Sequence, residues 1–216
     1  MSLKQEIEKM QQAFMPNIPE DIKQIMQAVT DDLLESSLTS KSLKFGDQAP
    51  SFSLPNASGQ VIKSDDLLKD GPLVLSFYRG GWCPYCNLEL QALKEAYPQM
   101  KQLGAKLVAI SPETPNHSQE TSERHALEFE VLSDVGNKVA QEFGLVFALA
   151  EELRPIYKQF GFDLPSYNGD ESWEIPVPAT YVIGRDGKIT YGFVNVDYTQ
   201  RAEPEDIVEA LRAYAN

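Results

Sequence analysis

The sequence is short of cysteine, histidine and positive charge, and it has no long apolar run. Among 216 residues there are two cysteines and two histidines. A secreted disulfide scaffold would carry more cysteines, with longer loops between them. A structural zinc site needs four ligands, and beyond the cysteines only His117 and His125 are soft donors. Both lie far downstream, at a spacing longer than paired zinc histidines use. No stretch reaches the roughly 18 consecutive apolar residues that a membrane span requires. The first residues, MSLKQEIEKMQQAF, are polar and helix-forming and contain no apolar signal core or cleavage site. A cytoplasmic protein is therefore expected. The net charge of −13 repels nucleic acid and anionic membrane surfaces, so neither is an expected partner. No glycine-rich phosphate loop follows the first strand and no metal cluster is legible, so no cofactor is expected.

What is present suits a soluble globular chain. The apolar fraction is 42% and the charged fraction 24%, values ordinary for such proteins. The length accommodates one α/β domain with a full core plus an extension. Ser2 to about Ser42 reads as helix, with Pro19, Glu20 and Asp21 forming a helix start. Ile22, Ile25, Met26, Val29 and Leu33 follow as an apolar stripe at helical spacing. The stripe is expected to pack on its own domain, with a second copy of the chain in a homodimer as the alternative. The expected organisation is an N-terminal helical extension over residues 1–42 and a domain over residues 43–216.

From Phe45 the pattern changes. Residues 50–54 and 59–62 suggest two short strands or a hairpin. Leu73-Val74-Leu75-Ser76-Phe77-Tyr78 reads as a buried central strand. Arg79-Gly80-Gly81-Trp82 breaks it, and a helix follows whose face is Leu90, Leu93, Tyr97 and Met100, with a kink expected at Pro98. Lys106 to Ile110 is a second buried strand, which completes a βαβ unit. Helices are expected over 118–128, 135–143 and 148–157, and a short strand over 130–132. Residues 161–177 read as a long polar insertion. Ala179 to Ile183 and Ile189 to Val194 flank an Asp186-Gly187 turn as a hairpin, and a final helix covers Glu203 to Tyr214.

Cys83-Pro84-Tyr85-Cys86 falls where the central strand gives way to a helix N-terminus. There the unpaired backbone N–H groups and the helix dipole favour a negative sulfur. Thiols in such settings have pKa values of about 3.5–7.5. Two residues of helical turn let the sulfurs close to the roughly 2 Å of a disulfide with little rearrangement. A Cys-x-x-Cys beside a βαβ pattern is a redox signal, and it outweighs a purely structural pair.

These residues carry a family resemblance. Residues 45–52, Phe-Gly-Asp-Gln-Ala-Pro-Ser-Phe, are similar to the opening segment of peroxiredoxins of the alkyl hydroperoxide reductase and thiol-specific antioxidant type. Residues 77–89 resemble their active-site strand and loop, and Pro178-Ala179-Thr180-Tyr181-Val182-Ile183 with Asp186-Gly187 their later hairpin. The resemblance covers about residues 45 to 212. It implies an α/β thioredoxin-like fold, with a central mixed β-sheet flanked by helices and an N-terminal helical extension. It further implies an antioxidant peroxidase that acts on hydroperoxides and is restored by a thioredoxin-type or glutaredoxin-type reductant. Aligned on Phe77-Tyr78 and Glu89, the family's attacking cysteine falls on Cys86, its threonine on Cys83 and its proline on Arg79. The family's second arginine is replaced by Pro178, which occupies the place of the cis-proline that faces the cysteine pair in thioredoxin-like proteins.

Candidate site residues are thus Cys86 and Cys83, supported by Arg79, Trp82 as an apolar lid, and Pro178. Arg201 is a weaker second guanidinium, expected to pair with Asp197 at the surface, and Glu89 is expected as a first-turn helix acid. Two mechanisms share the centre. In a peroxidase, Cys86 attacks the peroxide and Cys83 resolves the sulfenic acid. In a thiol–disulfide oxidoreductase, Cys83 is the nucleophile and Cys86 resolves. A non-enzymatic redox-sensing or binding module is the third reading.

Overall fold

The computed structural model describes residues 1–36 and 38–215. Ser37, within the stretch expected to be helical, and Asn216, the last residue of the expected domain, lie outside the described residues. The chain opens with α1 (Leu3–Phe14), capped reciprocally: Gln5 N–H donates to the Ser2 hydroxyl, and Ser2 N–H donates to the Gln5 side chain. Pro16 and Pro19 interrupt the helical stretch, so a 3₁₀ turn over Met15–Asn17 separates α1 from α2 (Glu20–Glu35). α3 (Leu38–Lys41) is a single turn. Leu3, Ile7, Ile18 and Ile22 are buried in the same apolar cluster as the two cysteines, so the extension packs on the rest of the chain. Its first turn is gripped by Glu203, whose carboxylate accepts the Leu3 N–H at 3.0 Å and the Lys4 N–H at 2.8 Å.

A hairpin of β1 (Ser53–Pro55) and β2 (Val61–Lys63) precedes α4 (Ser64–Asp70) and the central strand β3 (Leu73–Phe77). β3 is buried along its whole length because both faces of the sheet are covered. Leu73, Leu75 and Phe77 point into one cluster, and Val74 into the other with the cysteines, as a period of two dictates. α5 (Pro84–Gln102) crosses to β4 (Lys106–Ser111), which pairs parallel with β3. α5 runs through Pro98, the place of the expected kink, and Pro98 is exposed. α6 (Pro115–His125) leads to β5 (Glu130–Ser133), parallel to β4.

The next segment departs from expectation. After α7 (Lys138–Glu142), residues 146–148 form β6 (Val146–Ala148), and helix begins only at α8 (Leu153–Gln159). The expected polar insertion contains α9 (Leu164–Asn168) and β7 (Glu174–Pro176), which pairs antiparallel with β6. Ile175 is fully buried and Trp173 nearly so, so the segment closes a core instead of looping into solvent. β8 (Ala179–Ile183) and β9 (Ile189–Val194) make the expected hairpin, and α10 (Pro204–Ala215) ends the fold. The main sheet has the order β5-β4-β3-β8-β9, with β8 antiparallel to β3. This is the mixed sheet flanked by helices of a thioredoxin-like fold. Among the described residues, no helix is long and apolar enough to cross a membrane.

Candidate active site

The site forms at the carboxyl end of β3, where an open α/β sheet places its ligands. Gly80 takes φ +147°, and a side chain there would begin 2.2 Å from the Trp82 indole nitrogen, so only glycine fits. The turn is then held at Gly81: its N–H donates to Glu113 Oε2 at 2.9 Å, and Asn87 Nδ2 donates to its carbonyl at 3.0 Å. This brings Cys83 to the N-cap of α5, with Pro84 at the first helical position and Cys86 one turn on. Both thiols are free, and they are 1% and 0% exposed.

Each sulfur faces a buried guanidinium. Arg79 Nη1 lies 3.9 Å from Cys83 Sγ, and Arg201 Nη2 lies 3.6 Å from Cys86 Sγ. Arg79 also donates to the Tyr157 hydroxyl and lies over the rings of Tyr198 at 4.3 Å and Trp82 at 4.9 Å. Its Nε is buried without a partner. Arg201 is ion-paired with Glu89 and donates twice to the Tyr198 carbonyl, at 2.9 Å from Nε and 2.6 Å from Nη2. Glu89 receives a further bond from the Thr180 hydroxyl at 3.4 Å.

This field divides the pair. Burial pushes the Cys83 thiol up, but the hydrogen bond from Cys86 and the charges of Arg79 and Arg201 outweigh it and bring Cys83 down to about 5. Cys86 is pushed well above the ordinary thiol range by burial and by the hydrogen bond and negative charge of Cys83. The negative charge of the pair is thus drawn to Cys83 and the proton to Cys86. Glu113 is raised to about 7, chiefly by burial, with the Gly81 N–H opposing.

Arg79 and Trp82 stand at the thiols, and Trp82 packs edge-on against Tyr157 with ring centroids 5.7 Å apart. Pro178 lines the pocket behind Arg79, but no cis peptide bond occurs among the described residues, so the bond before it is trans. The chain runs extended from β7 into β8, anchored by the Val177 N–H donating to the Leu145 carbonyl at 2.8 Å, and this straight path needs no cis turn. Arg201 does not pair with Asp197 at the surface. Asp197 instead accepts from the Thr199 N–H at 3.0 Å and hydroxyl at 2.8 Å, which folds the loop so that Arg201 turns inward. Glu89 is no solvated first-turn acid: it lies deeper in α5, on the buried face, where it meets Arg201. Tyr157, Tyr198 and Glu113 complete the site and carried no local signal in the sequence. Among the described residues, no group of three or more histidine, cysteine or acidic side chains is placed to hold a metal ion.

Access to the thiols is narrow. Cys83 opens on a cavity of about 60 Å³ whose walls are apolar, formed by Trp82, Tyr157, Phe162 and Tyr198 from the domain and by Phe14, Met15, Ile18 and Met26 from the extension. Cys86 does not line it. A second pocket of about 20 Å³ lies on the other side of Arg79 and Tyr157.

The sequence and the fold match known proteins. The model of the AhpC/TSA family matches residues 45–192. The chain is 33% identical over 100 residues to chloroplastic peroxiredoxin Q of Populus jackii, covering 46% of each chain. It thus spans about half the length of that plant relative. It is 28% identical to peroxiredoxin Bcp of Escherichia coli (strain K12) over 151 residues, 70% of this chain and 85% of the other. The crystal structure of peroxidoxin BcpB from Mycobacterium tuberculosis superposes with a TM-score of 0.63 at 24% identity, covering 79% of this chain and 97% of that one. At that identity the structural likeness is one of fold.

Proposed function

The chain belongs to the AhpC/TSA family, and from that premise we propose that it is an antioxidant thiol-dependent peroxidase working through a Cys83/Cys86 dithiol–disulfide cycle. One observation carries the reading: two buried guanidinium groups, one against each sulfur. A thiolate attacking a peroxide needs its charge stabilised, and the departing oxygen needs donors aimed where negative charge develops. Arg79 supplies both, because its Nη1 faces the Cys83 sulfur and its buried Nε is unpartnered.

In this reading the Cys83 thiolate, which opens on the cavity, attacks one peroxide oxygen. The O–O bond breaks, the other oxygen leaves as alcohol or water after taking a proton from solvent, and Cys83 becomes a sulfenic acid. The Cys86 thiol condenses with it, forming the disulfide and releasing water. A dithiol reductant of the thioredoxin or glutaredoxin type restores the pair and is itself oxidised to a disulfide. The cytoplasm, where such reductants operate, suits this cycle.

A second order of events is favoured by the Arg201 contact at 3.6 Å and by the place of Cys86 in the family pattern. Here Cys86 attacks and Cys83 resolves. Reductant-coupled hydroperoxide consumption by wild type, Cys83→Ser and Cys86→Ser separates the two. The first order expects Cys86→Ser to complete one rapid round of peroxide reduction and Cys83→Ser to give none; the reverse pattern assigns the attack to Cys86. If wild type ignores peroxides but reduces a protein disulfide, the chain is a thiol–disulfide oxidoreductase on this fold.

A further inference from the structure

The cavity at Cys83 is small, and a residue outside the matched family segment keeps it so. At about 60 Å³, the cavity has room for a small molecule such as hydrogen peroxide. Pockets that enclose drug-sized organic ligands are about 300 Å³ and larger. Yet two other spaces lie alongside: the 20 Å³ pocket behind Arg79 and a groove of about 230 Å³ between the extension and the Tyr85 and Tyr198 side chains. Met26 and Tyr198 border all three. Tyr198 is committed to Arg79, whose guanidinium lies 4.3 Å from its ring. Met26 is half-buried, projects from α2, and has no polar duty.

We propose that Met26 is a specificity-determining residue: its side chain partitions these spaces and restricts the Cys83 cavity to small peroxides such as hydrogen peroxide. Removing it joins the cavity to its neighbours in a larger space, apolar around Cys83 and polar where it meets the groove of Gln11, Lys23, Gln27 and Asp197, able to take an aryl or branched alkyl hydroperoxide. An unbranched thioether with three rotatable bonds fills an irregular junction of this kind well, and leucine of similar volume would preserve the partition. The proposal rests on the peroxidase reading for its substrate and on the cavity geometry for its sizing, and the two are tested apart.

The first arm compares kcat/KM for hydrogen peroxide and cumene hydroperoxide in wild type, Met26→Ala and Met26→Leu. Wild type is expected to favour hydrogen peroxide by at least about tenfold, the range one lost or added group gives in an apolar pocket. Met26→Ala should narrow that ratio by about tenfold, through a rise for cumene hydroperoxide, while Met26→Leu keeps it. Equal use of both peroxides by wild type, or a ratio unchanged in Met26→Ala, overturns the proposal. The second arm does not need turnover. Cys83 of the reduced protein is labelled with iodoacetamide and with a fluorescein maleimide, and the site of labelling is read by mass spectrometry. Wild type should take the small reagent alone, and Met26→Ala both. Wild type taking both equally, or Met26→Ala still refusing the large one, overturns the sizing. If neither peroxide is consumed by any variant, the peroxidase reading falls and this labelling decides the sizing.

Discussion

Arg79 and Arg201 are both buried, and each lies within 4 Å of a sulfur, yet they are neutralised in different ways. Arg201 meets a carboxylate, Glu89, and a backbone carbonyl. Arg79 meets aromatic faces and a phenol, and no acid. A buried cation without a carboxylate is costly, so the negative partner that best stabilises Arg79 is the Cys83 thiolate itself. At the other corner Glu89 has already met the charge of Arg201, and Cys86 keeps its proton. The two corners thus differ in charge balance, while within the pair burial and the negative charge of Cys83 hold the proton on Cys86.

Breaking the Arg201 corner should have the largest effect. Glu89→Gln leaves Arg201 buried without its acid, which should reduce folding stability by about 3–5 kcal/mol in urea denaturation. The freed charge then falls on Cys86 and lowers its pKa, so alkylation near pH 6 should spread from Cys83 to Cys86. An unchanged labelling pattern would show that Glu89 does not govern the division. Next comes Arg79→Met, which removes the cation that Cys83 balances. Peroxide turnover should fall by about 10²–10³, the usual effect of losing one donor at a developing charge. The pH midpoint of Cys83 alkylation should climb from about 5 toward the ordinary thiol range. Turnover within a few-fold of wild type would mean that Arg201 alone activates the pair.

Glu113 sharpens the contrast, being a buried acid with no buried arginine. Its carboxyl titrates at about 7 in the folded chain against an ordinary 4.5. Between those values the native chain retains a proton that the unfolded chain has lost, so stability should fall as pH rises from about 4.5 to 7. The total is about 3 kcal/mol for a shift of that size. Glu113→Gln should flatten the slope, measured as urea midpoints across that range; an undiminished slope would locate the titration elsewhere.

Local signals made the strands β3, β4 and β8, the Cys-x-x-Cys pair and Arg79 legible, because each depends on neighbours in sequence. The apolar run 73–78 could only be a buried strand, and the pair had to fall on the next helix start. Arg201 was misread because its burial depends on Glu89, 112 residues away, and on a loop folded by Asp197. β6 and β7 were missed because three-residue strands have no visible period and stand only by pairing with each other. Met26 was visible as one member of an apolar stripe, but nothing in the stripe marked it as the one bordering the thiol cavity.

The grip of Glu203 on the start of α1 bears on how the protein is made. Leu3 is synthesised 200 residues before the carboxylate that holds it. At about 5–20 residues per second, that is roughly 10–40 s during which the first helices have no finished surface to settle on. One wall of the thiol cavity is therefore synthesised well before the carboxylate that fixes the start of its helices.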